Sequence, residues 1–142
     1  MSKSAEISFL CDVCGFELWQ PVAELSVSVL GLYNDDRFPG RCILVLKDHR
    51  EHWEDLDSGL LGEFASDSQR AVKAITTATG SIRVNLAILG NTDPHLHFHL
   101  IPRNPNIEPN PKKSPWNDPR SPRYLETEAL TLLREQIIKA LG

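Results

Sequence analysis

Residues 93–103 read Asp-Pro-His-Leu-His-Phe-His-Leu-Ile-Pro-Arg, and within them three of the chain's five histidines recur at every second position. Neutral imidazoles bind metals, relay protons or attack phosphorus, and an ordinary pKa of ~6.5 keeps the nucleophilic form available at neutral pH. On a strand this alternation turns His95, His97 and His99 to one side and Leu96, Phe98 and Leu100 to the other. One face is then chemistry and the other core. A merely solvated face would be served as well by threonine or lysine, and with so few histidines in the chain a chance register is the weaker explanation. Spacing alone leaves metal, proton relay and phosphorus open.

The second chemical signal is Cys11-Asp12-Val13-Cys14. A C-x-x-C pair serves as half a metal site, as a redox dithiol, or as two incidental thiols. No thioredoxin-like βαβ pattern surrounds it, and a tetrahedral zinc site needs two further nitrogen or sulfur ligands from elsewhere. With the third cysteine the count is odd, which fits a reducing compartment better than a disulfide framework. Cys42 lies in an apolar run and reads as a small buried hydrophobe.

Period and punctuation supply the elements that must carry these groups. Residues 25–33 and 41–47 are apolar runs joined by the turn-forming Asn-Asp-Asp-Arg-Phe-Pro-Gly, and together predict a hairpin. From Asp57 or Ser58, which are good caps, Leu61, Phe64, Ser68, Ala71, Val72 and Ile75 recur at helical spacing until Gly80, predicting about five helical turns. Residues 81–89 alternate as a strand, residues 90–94 turn the chain, and residues 95–101 alternate again, so that these two strands should pair antiparallel. Seven prolines between Pro102 and Pro122 indicate an irregular surface segment. Ser121-Pro122 then predicts the start of a closing helix whose inner stripe is Leu125, Ala129, Leu132, Leu133, Gln136, Ile137 and Ala140. The order strand, strand, helix, strand, strand, helix predicts an α+β fold on an antiparallel sheet, with a long central helix and a C-terminal helix.

The length, 142 residues, suits one domain that buries about two-thirds of its unfolded surface. It divides into an N-terminal arm (1–24), a sheet and helix (25–103), the proline-rich segment (104–121) and the closing helix (122–142). A net charge of -4 shows no footprint for a nucleic-acid polymer. No run approaches the ~20 apolar residues of a membrane span, and the apolar stretch after the first residues is too short and interrupted for a signal sequence. The chain is read as cytoplasmic.

The histidine run, His-Leu-His-Phe-His-Leu-Ile, resembles the His-x-His-x-His-x-x pattern of the histidine triad (HIT) nucleotide-binding superfamily. "FPGRCILVLKDH" (38–49) is similar to that family's Pro-Gly-His-x-Leu-Val-x-Pro-x-x-His segment, and "VNLAILGNTDPHLHFHLIPR" (84–103) to its second half. The resemblance implies a hydrolase or nucleotidyltransferase acting on a nucleoside phosphoramidate or dinucleoside polyphosphate. His97 would attack the α-phosphorus, and His99 would contact the transferring phosphoryl group. Asn91 and Thr92 would meet phosphate oxygens, Gly90 would let the backbone approach, and Asn34, or in its place Asp35, would bind the ribose. Arg103, with Lys112, Lys113, Arg120 and Arg123, is a candidate for the polyphosphate side, and Trp116 for a base or for packing on the protein's own surface. Trp53 and Leu56 are expected to seat the central helix.

The zinc-bearing branch of the superfamily implies a structural zinc on Cys11, Cys14, His49 and His95, with His52 the alternative to His49 because the usual proline before that histidine is absent. No organic cofactor is implied; a homodimer is. Transfer to a sugar phosphate fits less well, since those enzymes carry His-Pro-His where this chain has His95-Leu96-His97. A nucleotide-binding regulatory module with little turnover, and a catalytic metal held by all three histidines, are the competing functional readings.

Overall fold

The computed structural model describes residues 7–142; residues 1–6, where the expected N-terminal arm begins, lie outside the described residues. The sheet contains β1 (Pro21–Glu24), β2 (Ser28–Leu32), β3 (Cys42–Leu46), β4 (Arg83–Ala87) and β5 (His97–Arg103) in the order β1-β2-β3-β5-β4, antiparallel throughout. The expected hairpin is β2 with β3, running from Ser28 opposite Leu46 to Leu32 opposite Cys42. The expected strand pair is β4 with β5, and Val45 and Ile43 of β3 stand opposite His97 and His99. Directly opposed residues share a face, so the histidines lie on the Ile43–Val45 side.

The central helix, α1 (Ser58–Thr79), has 22 residues, about six turns at ~3.6 residues each. Asp57 caps it by accepting from the Leu60 N–H at 2.8 Å, and Gly80 ends it in the left-handed region. Phe64, Ser68, Ala71 and Ile75 are buried as the periodicity requires, and Phe64, Ala71 and Ile75 join Leu30, Leu44, Leu46 and Leu100 of the sheet in the core. Burial of a side chain such as Phe64 contributes about 1.5–3 kcal/mol. Asp67 is buried on this same stripe. It accepts hydrogen bonds from the Ser26 and Val27 backbones and from Ser28 Oγ at 3.2, 2.9 and 2.7 Å, fastening the β1–β2 turn to the helix.

Two elements differ from expectation. β1 was not foreseen: it is four residues long, begins with proline, and sits at a sheet edge, where a missing N–H is tolerated. The closing helix, α2 (Thr127–Leu141), begins after the Ser121-Pro122 signal because the intervening backbone is held extended. The Arg123 N–H donates to Asp36 Oδ1, the Leu125 N–H to Asn34 Oδ1, and the Asp36 N–H to the Arg123 carbonyl. From there Leu130 and Ile137 form the buried stripe, and Leu132, about 200° around the helix from Leu130, faces outward with Gln136.

The second face of the sheet is covered by the N-terminal arm. Leu18 joins Val29, Ile43 and Val45, with Ile7, Phe9 and Phe16 packed against them. The histidines therefore project toward the arm, away from the helices. No helix among the described residues is long and apolar enough to cross a membrane.

Candidate active site and metal centre

Cys11 and Cys14 are brought together by a tight turn in which the Cys11 N–H donates to the Phe16 carbonyl and the Gly15 N–H to the Cys11 carbonyl, both at 2.8 Å. Gly15 has φ +79°, a conformation that other residues adopt only at a cost. Cys11 Sγ then lies 3.7 Å from His49 Nδ1, and Cys14 Sγ 3.4 Å from His95 Nδ1. The two Nδ1 atoms are 3.3 Å apart, and all four donor atoms fall within 4.8 Å of one another. His52, the alternative to His49, lines a neighbouring cavity instead.

The hydrogen bonds behind the cluster decide what it can hold. His95 Nε2 donates to the Leu46 carbonyl at 2.6 Å, and His49 Nε2 to Glu51 at 3.1 Å. The hydrogen bond to Glu51, with that to Cys11, raises the His49 pKa; in the neutral form each ring turns an Nδ1 lone pair inward, and two lone pairs 3.3 Å apart repel unless a cation lies between them. Zinc–nitrogen bonds of ~2.0 Å and zinc–sulfur bonds of ~2.3 Å place tetrahedral ligands about 3.3–3.8 Å from one another. The donor set fits zinc.

His97 is 6% exposed at the start of β5. Its Nδ1 lies 2.6 Å from the His95 carbonyl and so carries the proton, which leaves the lone pair on Nε2. The Phe16 ring rests on the His97 ring with centroids 4.9 Å apart and reaches His95 at 5.6 Å. Thus the arm that delivers the thiols also walls His97. Gly90, at φ +72°, shares with His97, His52, Trp53 and Leu89 a cavity of about 240 Å³, and Asn91 and Thr92 stand exposed in the turn that follows.

His99 lies beside His97, with ring centroids 5.0 Å apart, and meets the edge of Trp116 at 5.8 Å. Burial, reinforced by the neighbouring charges of His97 and Arg41, pushes His99 down to about 4. Arg41 Nη2 is 3.3 Å from His99 Nδ1, Arg41 Nη1 donates to Asp35 at 2.9 Å, and the guanidinium covers the Tyr33 ring at 3.8 Å.

The HIT domain family model matches residues 20–106. The chain belongs to the HIT domain family. Among solved structures it is similar to a histidine triad protein from Bradyrhizobium japonicum, at 20% identity and TM-score 0.78, covering 100% of this chain and 96% of that one. It is similar also to a Zn-bound histidine triad family protein from Mycobacterium smegmatis, at 21% identity and TM-score 0.59, with 84% of each chain covered. A third is the Plasmodium falciparum diadenosine triphosphate hydrolase, at 18% identity and TM-score 0.54, covering 87% and 78% respectively.

In this HIT domain several of the side chains expected on the substrate side have partners within the protein. Asp35 is 1% exposed and gives its carboxylate to Arg37 and Arg41. Burial opposes its ionisation, but the hydrogen bonds from Arg37 and the charges of Arg37 and Arg41 prevail and hold the carboxyl below the usual carboxylate range. Arg103, 5% exposed, is engaged by Glu108, Asn85 and the Asn110 and Pro111 carbonyls and so braces the proline-rich segment. Asn34 lends its side-chain oxygen to Leu125 and Arg120 pairs with Asp118, while Lys112 and Lys113 are exposed. Cys42 is fully buried. Trp53 is 44% exposed and covers the edge of Phe98 from outside the core, while Leu56 packs against it.

Three contributors escaped sequence reasoning: Phe16, Glu51 and Arg41. Phe16 and Glu51 belong to common types at unremarkable spacing. Arg41 did leave a signal, since it stands in Phe-Pro-Gly-Arg where the family pattern has Pro-Gly-His.

Proposed function

We propose that this protein is a nucleotide hydrolase or nucleotidyltransferase in which His97 forms a covalent nucleotidyl intermediate. One observation carries the reading: the His97 Nδ1 proton is fixed on the carbonyl of His95, so the Nε2 lone pair is presented without the help of a base. Nε2 attacks the α-phosphorus, the bond to the leaving group breaks and its electron pair departs with that group. The positive charge on the ring is stabilised through Nδ1–H on the carbonyl. Water then attacks phosphorus, releases the nucleotide and restores the neutral imidazole, with its proton passing to solvent. His99 contacts the phosphoryl oxygens. Gly90, Asn91 and Thr92 receive the phosphate, and Asn34, its oxygen already engaged, offers its amide N–H to the ribose.

Cys11, Cys14, His49 and His95 hold a zinc ion in this reading; zinc supplies a structural clamp of the arm to β5, as the donor distances and the Zn-bound relative support. The protein acts in the cytoplasm as a homodimer, a reading supported by the edge position of β4 with Leu86 and the preceding Ile82 exposed. Rapid acid quench with α-labelled diadenosine triphosphate tests the central claim. Labelled protein is expected in wild type and none in His97→Ala, with turnover reduced by about 10³-fold or more. Tight nucleotide binding without label would favour the regulatory module.

A further inference from the structure

We propose that Arg41 is a positioning residue that locks His99 as an Nε2–H hydrogen-bond donor, and that the site consequently takes nucleotides whose leaving group departs as a phosphate anion, not as an amine. The inference rests on the function proposed above and narrows its substrate class to phosphoric anhydrides.

A guanidinium only donates, so the 3.3 Å contact from Arg41 Nη2 requires His99 Nδ1 to accept. The proton of the neutral ring is thereby assigned to Nε2. Arg41 itself has little freedom: it is 6% exposed, tied to the buried Asp35 carboxylate at 2.9 Å and stacked on Tyr33 at 3.8 Å. Asp35 is held in turn by Arg37 at 2.8 Å. Carboxylate, guanidinium and imidazole form a relay of orientation that ends at the phosphoryl group, the same logic by which a third group orients a catalytic base.

The chemical consequence follows from the charge. His99 faces His97 on its own strand, Arg41 from the start of β3 with Tyr33 and Asp35 behind it, and Trp116 from the proline-rich segment. Protonating His99 would set a second cation against Arg41 and replace an accepted hydrogen bond by a donor–donor clash. His99 therefore hydrogen-bonds a phosphoryl oxygen through Nε2–H but supplies no proton from an imidazolium. When a P–O bond to a phosphate group breaks, the electron pair leaves on oxygen as a stable anion and no proton is needed. When a P–N bond to an alkylamine breaks, the nitrogen must gain a proton, and this His99 does not deliver it.

The first measurement is made on the free wild-type protein. Long-range nitrogen–proton NMR of the imidazoles is expected to show His99 as the neutral Nε2–H form from pH 8 to 5; an Nδ1–H form or an imidazolium at pH 7 would overturn the assignment. Arg41→Gln should mix the tautomers and raise the pH at which His99 protonates, whereas Arg41→Lys, still cationic and donating, should retain the wild-type tautomer. If Arg41→Gln leaves both tautomer and titration as in wild type, Arg41 does not position His99. The second measurement compares kcat/KM at pH 7 for diadenosine triphosphate and an adenosine 5′-phosphoramidate of an alkylamine. A preference of 100-fold or more for the anhydride is expected, and equal rates overturn the substrate assignment. Acid-quench labelling of His97 in the same reactions separates the two failures: labelling from the amide as fast as from the anhydride defeats this inference alone, and no labelling from either defeats the proposed function.

Discussion

His95, two residues before β5, and His99, within it, end the same row of histidines, yet they are wired in opposite senses. His95 gives its Nε2 proton to the Leu46 carbonyl and turns Nδ1 toward two sulfurs and a second imidazole. His99 gives its Nδ1 lone pair to Arg41 and keeps Nε2 for the site. Between them His97 spends Nδ1 on a backbone carbonyl. The lesson is that the role of an imidazole is set by which nitrogen is already occupied, and residue type and alternation do not specify that. One end of the row turns lone pairs inward and is suited to a cation; the other, backed by the Arg41 guanidinium, leaves an N–H to donate.

The largest effects should come from attacking the two roles separately. His95→Asn is expected to remove close to one equivalent of zinc and to lower the unfolding midpoint by about 10 °C or more, whereas His97→Ala abolishes turnover with zinc intact. Metal analysis beside a thermal melt checks the pair, and loss of zinc in both would mean that the ends are not independent. Next in size, Asp67→Ala on the helix side should cost about 1–3 kcal/mol by stranding the donors of Ser26, Val27 and Ser28. Urea unfolding measures it, and kcat per folded molecule should not change, because this buried acid belongs to the core.

A smaller effect concerns acidity at the His99 end of the row. The folded-state value of His99, about 4, lies below the ordinary histidine value of ~6.5. Above pH ~6.5 both states are neutral and nothing is gained or lost; as pH falls from there toward 4 the unfolded chain takes up a proton that the folded site refuses, and stability declines. Urea midpoints between pH 7 and 4.5 should therefore fall less steeply in His99→Gln than in wild type, and parallel slopes would remove the asymmetry. Smallest is Trp116→Ala, which deletes an aromatic edge contact worth about 0.5–1.5 kcal/mol and should change KM by about 2–10-fold with little change in kcat.

Much of this was legible in the sequence because it depends on period. Alternation placed the histidine row, helical spacing with Asp57 and Gly80 bounded α1 within a residue, and the two strand pairs follow from turn residues. What periodicity does not report is which side chains pair with one another, even a few residues apart. Asp35, the alternative to Asn34 for the ribose, is paired with Arg37 and Arg41, and Arg103, a candidate for the polyphosphate side, is paired with Glu108 of the proline-rich segment. The Ser121-Pro122 helix start was a sound local signal that lost to hydrogen bonds with the 34–36 turn. Local rules see propensity; competition for a hydrogen-bonding group is settled only in three dimensions.

The cysteine turn also has a consequence for how the molecule comes apart. Cys14 and His95 are 81 residues apart in sequence, so a metal bridging them ties more than half the chain into a ring. Closing so long a loop limits the unfolded ensemble more than closing a short one, by an amount that grows with the logarithm of loop length. Loss of the metal at this single point would lengthen the tether on which the arm must search for its place, and return of Phe16 to the His97 ring would become a slow, long-range event in refolding.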